Sequence, residues 1–467
     1  MTDTPPIPVL DDLSAREKEL VGAARRGEAL VCGDLAPEVL ATSDDPAHIV
    51  RAELIRELLL GRRGELDPQG VTLRGARIIG ELVLDHVAAA VPLELQLCSV
   101  AHPIYLRWAH LPWLSLYGTR LHSLLANGLH VDDALVLTGA QVTGPDDDGT
   151  VLLRDARIGY LSLEKAVVTN DSGAAVSADR IQISSNLRVH SGQLSGAGGD
   201  HTVLLNGARI TGQLSMENAA VSNDTHQLIS LNDTTVGGAV FMAKKIVCPA
   251  PTSNPSCTHP ATIKLDGFTF GDLKRADWRE WLHVIRCHTP LYRPQPYQQL
   301  AAAERAAGHD NNARRILITQ QQDLYKRAPK ALGGWWNRRF HQLWGLLAGY
   351  GYRARRTAVA LLIALVTAGA LGFWAGQVTD GDHHAAERTA SFASRHGERC
   401  TPVELIGVGL DRGLPLSPTG VRTRCDLNTG TTWGQVFTVS IWLVQAAIWG
   451  LATLALAGYT SLIRKTT

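Results

Sequence analysis

Aromatic side chains are scarce in this chain, 6% of 467 residues, and the formal net charge is only +1. A near-neutral balance excludes a tail-driven nucleic-acid binder, and an apolar share of 45% excludes a disordered chain. Signatures of cofactor chemistry are missing as well. There is no Cys-x-x-Cys, no P-loop, no Gly-x-Ser-x-Gly and no His-Glu-x-x-His. Gly196-Ala-Gly198-Gly199 is read as a polar loop, not as the strand-to-helix turn of a dinucleotide fold. The paired carboxylates Asp132/Asp133 and Asp146 to Asp148 stand in turn-like surroundings, where solvated acids are the common case. No catalytic residue and no cofactor is expected. Residues 1–20 lack the apolar core of a signal peptide.

What is present is a short, recurring pattern between Val71 and Phe270. Leu106, Leu111, Leu116 and Leu121 stand at a strict spacing of five, and Val71-Thr-Leu73-Arg-Gly-Ala76-Arg-Ile78 returns as Val203-Leu-Leu205-Asn-Gly-Ala208-Arg-Ile210. Pairs such as Leu135/Leu137, Ala156/Ile158, Leu161/Leu163 and Ala166/Val168 put two inward residues around one outward residue, which is strand alternation. Recurrence every five residues predicts short strands joined by tight corners, a right-handed β-helix of pentapeptide type with roughly nine or ten coils at most. Glycines 75, 118, 139, 207 and 212 suit its corners. Arg77, Arg157 and Arg209 take outward slots; a solvated face is their default role, an arginine ladder the alternative. Residues 71–270 carry 17 acidic and 13 basic side chains, too mild an excess for a mimic of DNA.

The flanking segments read as accessories. Residues 1–66 form a helical cap, with one helix over Asp11–Arg26 closed by a Ser14/Glu17 capping box and another from Asp45-Pro46 to Gly61. The solenoid covers 67–270. Residues 271–330 supply helices over Leu273–Cys287, Pro296–Ala307 and Asp310–Arg327 that close the far end. Residues 331–356 are a basic, aromatic linker in which Trp335, Trp336, Arg338, Arg339, Trp344, Arg353, Arg355 and Arg356 suit an anionic inner leaflet, or else a helix packed on the solenoid. Residues 357–376 and 435–461 are two uncharged runs long enough to cross a bilayer at about 1.5 Å per residue. Arg353, Arg355 and Arg356 before the first, and Arg464 and Lys465 after the second, predict that both ends are cytoplasmic, with 377–434 external and 462–467 a cytoplasmic tail.

Ala368, Gly372 and Gly376 repeat every four residues, which predicts close packing of the first span against the second or against another subunit of a homo-oligomer. Cys400 and Cys425 sit alone in the external loop, where a disulfide persists. Cys32, Cys98, Cys248, Cys257 and Cys287 are expected as thiols. Cys248 and Cys257 flank a Pro/Ser loop, but their spacing matches no zinc pattern and no paired ligands stand nearby in sequence. Asp380, Asp382, His383, His384 and Glu387 are weak candidates for a divalent cation against a plain polar loop.

Ile49-Val-Arg-Ala-Glu-Leu-Ile55, the Leu-x-Gly-Ala-Arg-Ile blocks, Thr289-Pro-Leu-Tyr-Arg-Pro-Gln-Pro-Tyr-Gln-Gln-Leu300 and Gly349-Tyr-Gly-Tyr-Arg353 together cover nearly the whole chain. In these segments it resembles actinobacterial membrane proteins often labelled "membrane-associated oxidoreductase". The resemblance implies a bacterial membrane protein with a cytoplasmic β-helix, and it carries no catalytic residue onto these positions. The function expected is a membrane-tethered scaffold for unidentified protein partners and the lipid bilayer, with no nucleic acid. An oligomeric channel gated by the solenoid and the oxidoreductase of the family label are the alternatives.

Overall fold

The computed structural model describes residues 10–145, 147–249, 257–351, 354–389, 391, 393, 398–413 and 420–463. Asp146, Arg353, Arg464, Lys465 and residues 250–256 lie outside the described residues, as does the side chain of Arg355. The chain divides into two compact units, Met1–Asp323 and Leu324–Thr467.

In the first unit, alternation is repeatedly interrupted after two to four residues because the backbone enters the left-handed region. This happens at Gly118, Gly128, Gly139 and Gly207, and also at Trp108, Asp155, Lys165, Arg180, Ser191 and Asn218. At these corners the residue after the left-handed one donates its N–H to the carbonyl three residues back, as Ala109 does to Leu106 and Ala166 to Leu163. Short strands between such corners cannot form hairpins, so each one pairs with the equivalent strand one circuit later. The result, among the described residues, is three all-parallel sheets in this unit, of 13, 8 and 8 strands; the chain visits them in turn, and in some circuits two consecutive strands, such as His110–Leu111 and Leu114–Ser115, both belong to the largest. Inward residues stack in register. One column runs Leu111, Val131, Ile158, Ile183, Ile210, Val236 and Phe270, all buried.

Circuit length is less regular than the five-residue period suggests. It is 20 residues from Ile104 to Leu124 but 34 from Ile229 to Ile263. In the largest sheet ten rungs pair in succession, from Leu30 through Leu114, Leu135, Leu161, Leu187, Leu214 and Val240 to Leu273, which at about 4.8 Å per step is roughly 43 Å and matches nine or ten coils; the two eight-stranded sheets are shorter. Gly212 does not have a positive φ; a Cβ there would meet Asn186 Oδ1 at 2.4 Å and the Ser185 carbonyl at 2.6 Å, so close approach of the neighbouring circuit demands it. Asp132 and Asp133 lie in the strand His130–Val136, at a register shift, not in a turn.

Both ends of the stack are closed by the elements that adjoin them. At the start, helix α1 (Ala15–Arg26) is capped by Ser14, with the full capping box to Glu17. Burial opposes ionisation of Glu17, yet hydrogen bonds from the Arg51 side chain and from the Ser14 and Arg51 backbone bring its pKa down to about 2. A short α2 (Pro37–Leu40) and α3 (Ala52–Leu59) follow. The helix expected from Asp45 begins only at Ala52, because Ile49–Arg51 is extended and pairs with Arg77–Ile79. An open parallel edge offers that tripeptide more hydrogen bonds than a first helical turn does. Leu30–Val31 covers another edge strand in the same way.

At the far end, Thr269–Lys274 is the last strand, so Leu273 and Lys274 are extended and α4 starts at Trp278, running to Cys287. Helix α5 (Pro294–Ala306) lays Gln295 and Gln299 over the edge, donating to the Phe268 and Phe270 carbonyls at 2.8 and 2.7 Å. Helix α6 (Asp310–Arg327) brings buried Asp323 to Arg286 and to the Tyr297 hydroxyl.

The second unit is helical. It contains α7 (Trp335–Ala348), α8 (Ala354–Ala375), α9 (Pro402–Gly413) and α10 (Thr432–Ile463). Two small antiparallel strand pairs, Thr379–Asp380 with His383–His384 and Ala386–Arg388 with Cys425–Leu427, lie between α8 and α10. Arg356–Ala375 and Thr432–Leu456 are long and apolar enough to cross a membrane, and only 22% and 17% of their most hydrophobic windows are buried.

Candidate metal centre

The last circuit of the stack gathers four metal-binding side chains. Cys248 follows the turn Lys244–Ile246, Cys257 precedes the last strand of the third sheet, Thr262–Lys264, and His283 and His288 come from α4 and the residue after it. Cys248 Sγ lies 3.4 Å from Cys257 Sγ and 3.6 Å from His283 Nε2, and Cys257 Sγ lies 3.4 Å from His288 Nε2. All four donor atoms lie within 4.8 Å of one another. His288 Nδ1–H donates to the Ala261 carbonyl at 2.7 Å, which leaves its Nε2 lone pair turned to the sulfurs. Burial holds both imidazoles below their usual pKa; His288 and Lys244 add to this for His283, and His259 and Lys244 for His288, against the Ala261 hydrogen bond. Neutral imidazole is the ligand form. Cys248, His283 and His288 are buried and Cys257 half-buried. Two thiols and two imidazoles can close a tetrahedron and leave no position for substrate, which is structural rather than catalytic chemistry.

The absence of paired ligands near Cys248 and Cys257, read from sequence, is therefore corrected. On a continuous helix, residues 283 and 288 would point about 140° apart, by 3.6 residues per turn. Helix α4 ends at Cys287, and His288, with φ −116° and ψ 2°, turns its ring back to the cysteines. The signal that could have found the set is a His-x4-His downstream of two cysteines in one stretch of chain.

A second trio, His110, His130 and Asp132, is exposed: the two rings stack at 4.4 Å and both reach the Asp132 carboxylate. Nearby, outward residues of consecutive strands stand in register as His110, His130, Arg157, Gln182, Arg209, Thr235 and Thr269. Arg157 and Arg209 have no carboxylate partner among the described residues, and with Trp108 and Arg180 they line a groove of about 590 Å³.

The loop candidates do not converge. His383 pairs with Glu387, buried His384 accepts from Arg399, Asp380 accepts the Thr432 N–H and Asp382 is exposed. Cys400 and Cys425 are joined in a disulfide, and Cys32, Cys98, Cys248, Cys257 and Cys287 are thiols outside any disulfide. On α7, Trp335, Trp336, Phe340, Leu343 and Leu346 are exposed, Arg339 lies over the Trp335 ring, and Arg338 and Trp344 are half-buried; Arg356 is exposed.

Ala368, Gly372 and Gly376 do pack closely, but their partner is α9. A Cβ on Gly372 would meet the Leu405 carbonyl at 2.3 Å, one on Gly409 the Ala368 carbonyl at 2.1 Å, and one on Gly376 the Leu405 side chain at 2.2 Å. Helix α9, which the sequence pattern does not announce, thus takes the place expected for the second span or another subunit. Compared with protein-family models, curated proteins and solved structures, the chain matches none.

Proposed function

We propose that the chain is a two-span membrane protein whose first unit is a cytoplasmic scaffold, a right-handed β-helix of pentapeptide type that binds an anionic partner along one face. Handedness follows from the strong preference of parallel crossovers. The observation that carries the function is the in-register outward row with two guanidiniums, Arg157 and Arg209, that have no carboxylate partner among the described residues and stand two rungs or roughly 10 Å apart. Fixed spacing on a rigid ladder favours a partner with repeated carboxylates or other anions.

The membrane reading rests on spans whose apolar side chains are largely exposed, and on α7, whose aromatic face is uncovered and has a basic rim suited to anionic lipid. With two spans, the disulfide-bearing segment and the first unit fall on opposite sides of the membrane; that separation agrees with oxidised cysteines in one and thiols in the other. A scaffold is favoured over a pore because α9 already occupies the glycine face that an oligomer would need. The resemblance to the actinobacterial membrane proteins agrees with this topology.

Affinity purification of the full chain from native membranes tests the scaffold. A stoichiometric partner is expected with wild type and is lost with Arg157→Glu/Arg209→Glu; an unchanged partner in that variant refutes the anionic face. Sustained ion flux through liposomes holding the pure protein would replace the scaffold with the pore.

A further inference from the structure

We propose that Cys248, Cys257, His283 and His288 bind one Zn²⁺ as a closed structural site that clasps the C-terminal edge of the strand stack. The donor spacing fits the ion. With Zn–S near 2.3 Å and Zn–N near 2.05 Å, the edges of a tetrahedron are about 3.8 Å for S···S and about 3.6 Å for S···N. The corresponding distances are 3.4, 3.6 and 3.4 Å. A disulfide accounts for less: it needs the sulfurs about 2.05 Å apart and leaves the Nε2 lone pair of His288 in the interior facing sulfurs that have no proton to donate.

The elements joined give the site its purpose. Cys248 follows the strand Thr235–Phe241 of the first sheet, Cys257 leads into the last strand of the third sheet, and α4 and the residue after it supply the histidines. The carbonyl of His288 also accepts the Ile263 N–H at 2.8 Å, so one residue occupies the open edge of that strand and ligates. Beside it Lys244, buried, donates to the Cys248 carbonyl at 3.0 Å and so fixes the backbone that carries one of the two sulfurs. Binding releases two thiol protons to solvent and changes no oxidation state.

The test uses the full chain in detergent, purified without chelator or polyhistidine tag, with zinc measured by mass spectrometry. About one zinc per chain is expected, falling below about a tenth in Cys257→Ser. Exchange with Co²⁺ should give the visible bands of a tetrahedral thiolate site, and His288→Cys should keep the metal while strengthening the thiolate-to-cobalt charge-transfer band. Wild-type protein without zinc and without that cobalt spectrum overturns the proposal. So does a Cys248–Cys257 disulfide found by alkylation mapping, or a folded Cys257→Ser that keeps its zinc. Should Cys257→Ser fail to fold, the wild-type cobalt spectrum alone decides.

Discussion

The two units bury apolar residues alike but differ in what they leave exposed. In the strand stack the column from Leu111 to Phe270 faces inward and is buried, and few large apolar side chains, Trp108 and Tyr117 among them, reach the surface. In the helical unit Leu362, Ile363, Val366 and Leu443 are each more than 60% exposed, while Ala368, Gly372, Gly409 and Gly413 make the contacts between helices. Glycine differs in the same way. In the stack it supplies positive φ at corners and, at Gly159, Gly212 and Gly237, lets neighbouring circuits approach; between α8 and α9 it serves close approach alone. The difference matches the two-span reading of the helical unit proposed above. Removal of apolar surface from water drives the first, and close backbone packing under an apolar exterior is what helices use in lipid.

The largest effect expected from breaking this comparison is in the core column. Ile158→Ala removes a buried side chain flanked by Val131 and Ile183 and should destabilise the stack by about 3–4 kcal/mol. Leu362→Ala, at 61% exposure on α8, should change the stability of the helical unit in micelles by no more than about 0.5 kcal/mol. Hydrogen exchange with denaturant measures both units in one molecule. A large loss from Leu362→Ala would mean that α8 is a core helix, and the contrast would fail.

Cysteine chemistry sharpens the contrast further. The Cys400–Cys425 bond closes 25 residues, and replacing both by Ser should cost about 3 kcal/mol in the helical unit. Thermal unfolding of the stack should be unmoved, whereas reductant should lower the midpoint of the helical unit alone in wild type and not in the double variant. A stack that melts earlier in the double variant would show that the units are not energetically separate.

Legibility in the sequence follows the range of the interaction. The strand alternation around Leu106 to Leu121, the Ser14 cap and the two apolar runs are local patterns, and each appears where its period says. Ile49–Arg51 departs from its local pattern because its partner, Arg77–Ile79, overrides a plausible helix start. The metal-binding set was invisible because its geometry depends on where α4 stops, one residue before His288. Helix α9 went unread because its apolar face is short, and its partner residues at 368, 372 and 376 fit several helices equally well.

The smallest effect concerns corners, where the sequence gives the least signal. Gly139 and Lys165 hold the same corner in consecutive circuits, with φ 68° and 54°, and the Gly139 N–H donates to the carbonyl of Glu164, the residue before Lys165. A Cβ on Gly139 would meet nothing closer than Gly118 Cα at 3.8 Å, so Gly139→Ala isolates the cost of a left-handed L residue, about 1 kcal/mol. Lys165 already bears that cost. Lys165→Gly relieves it but loosens the unfolded chain, for a net gain of about 0.5 kcal/mol. Opposite signs from the two substitutions, read in the stack's denaturation midpoint, are the expected result. A loss from Lys165→Gly would mean that the lysine side chain stabilises this corner by more than its backbone angle costs, and that corner geometry in the stack is set by side chains, as helix approach is set by their absence in the other unit.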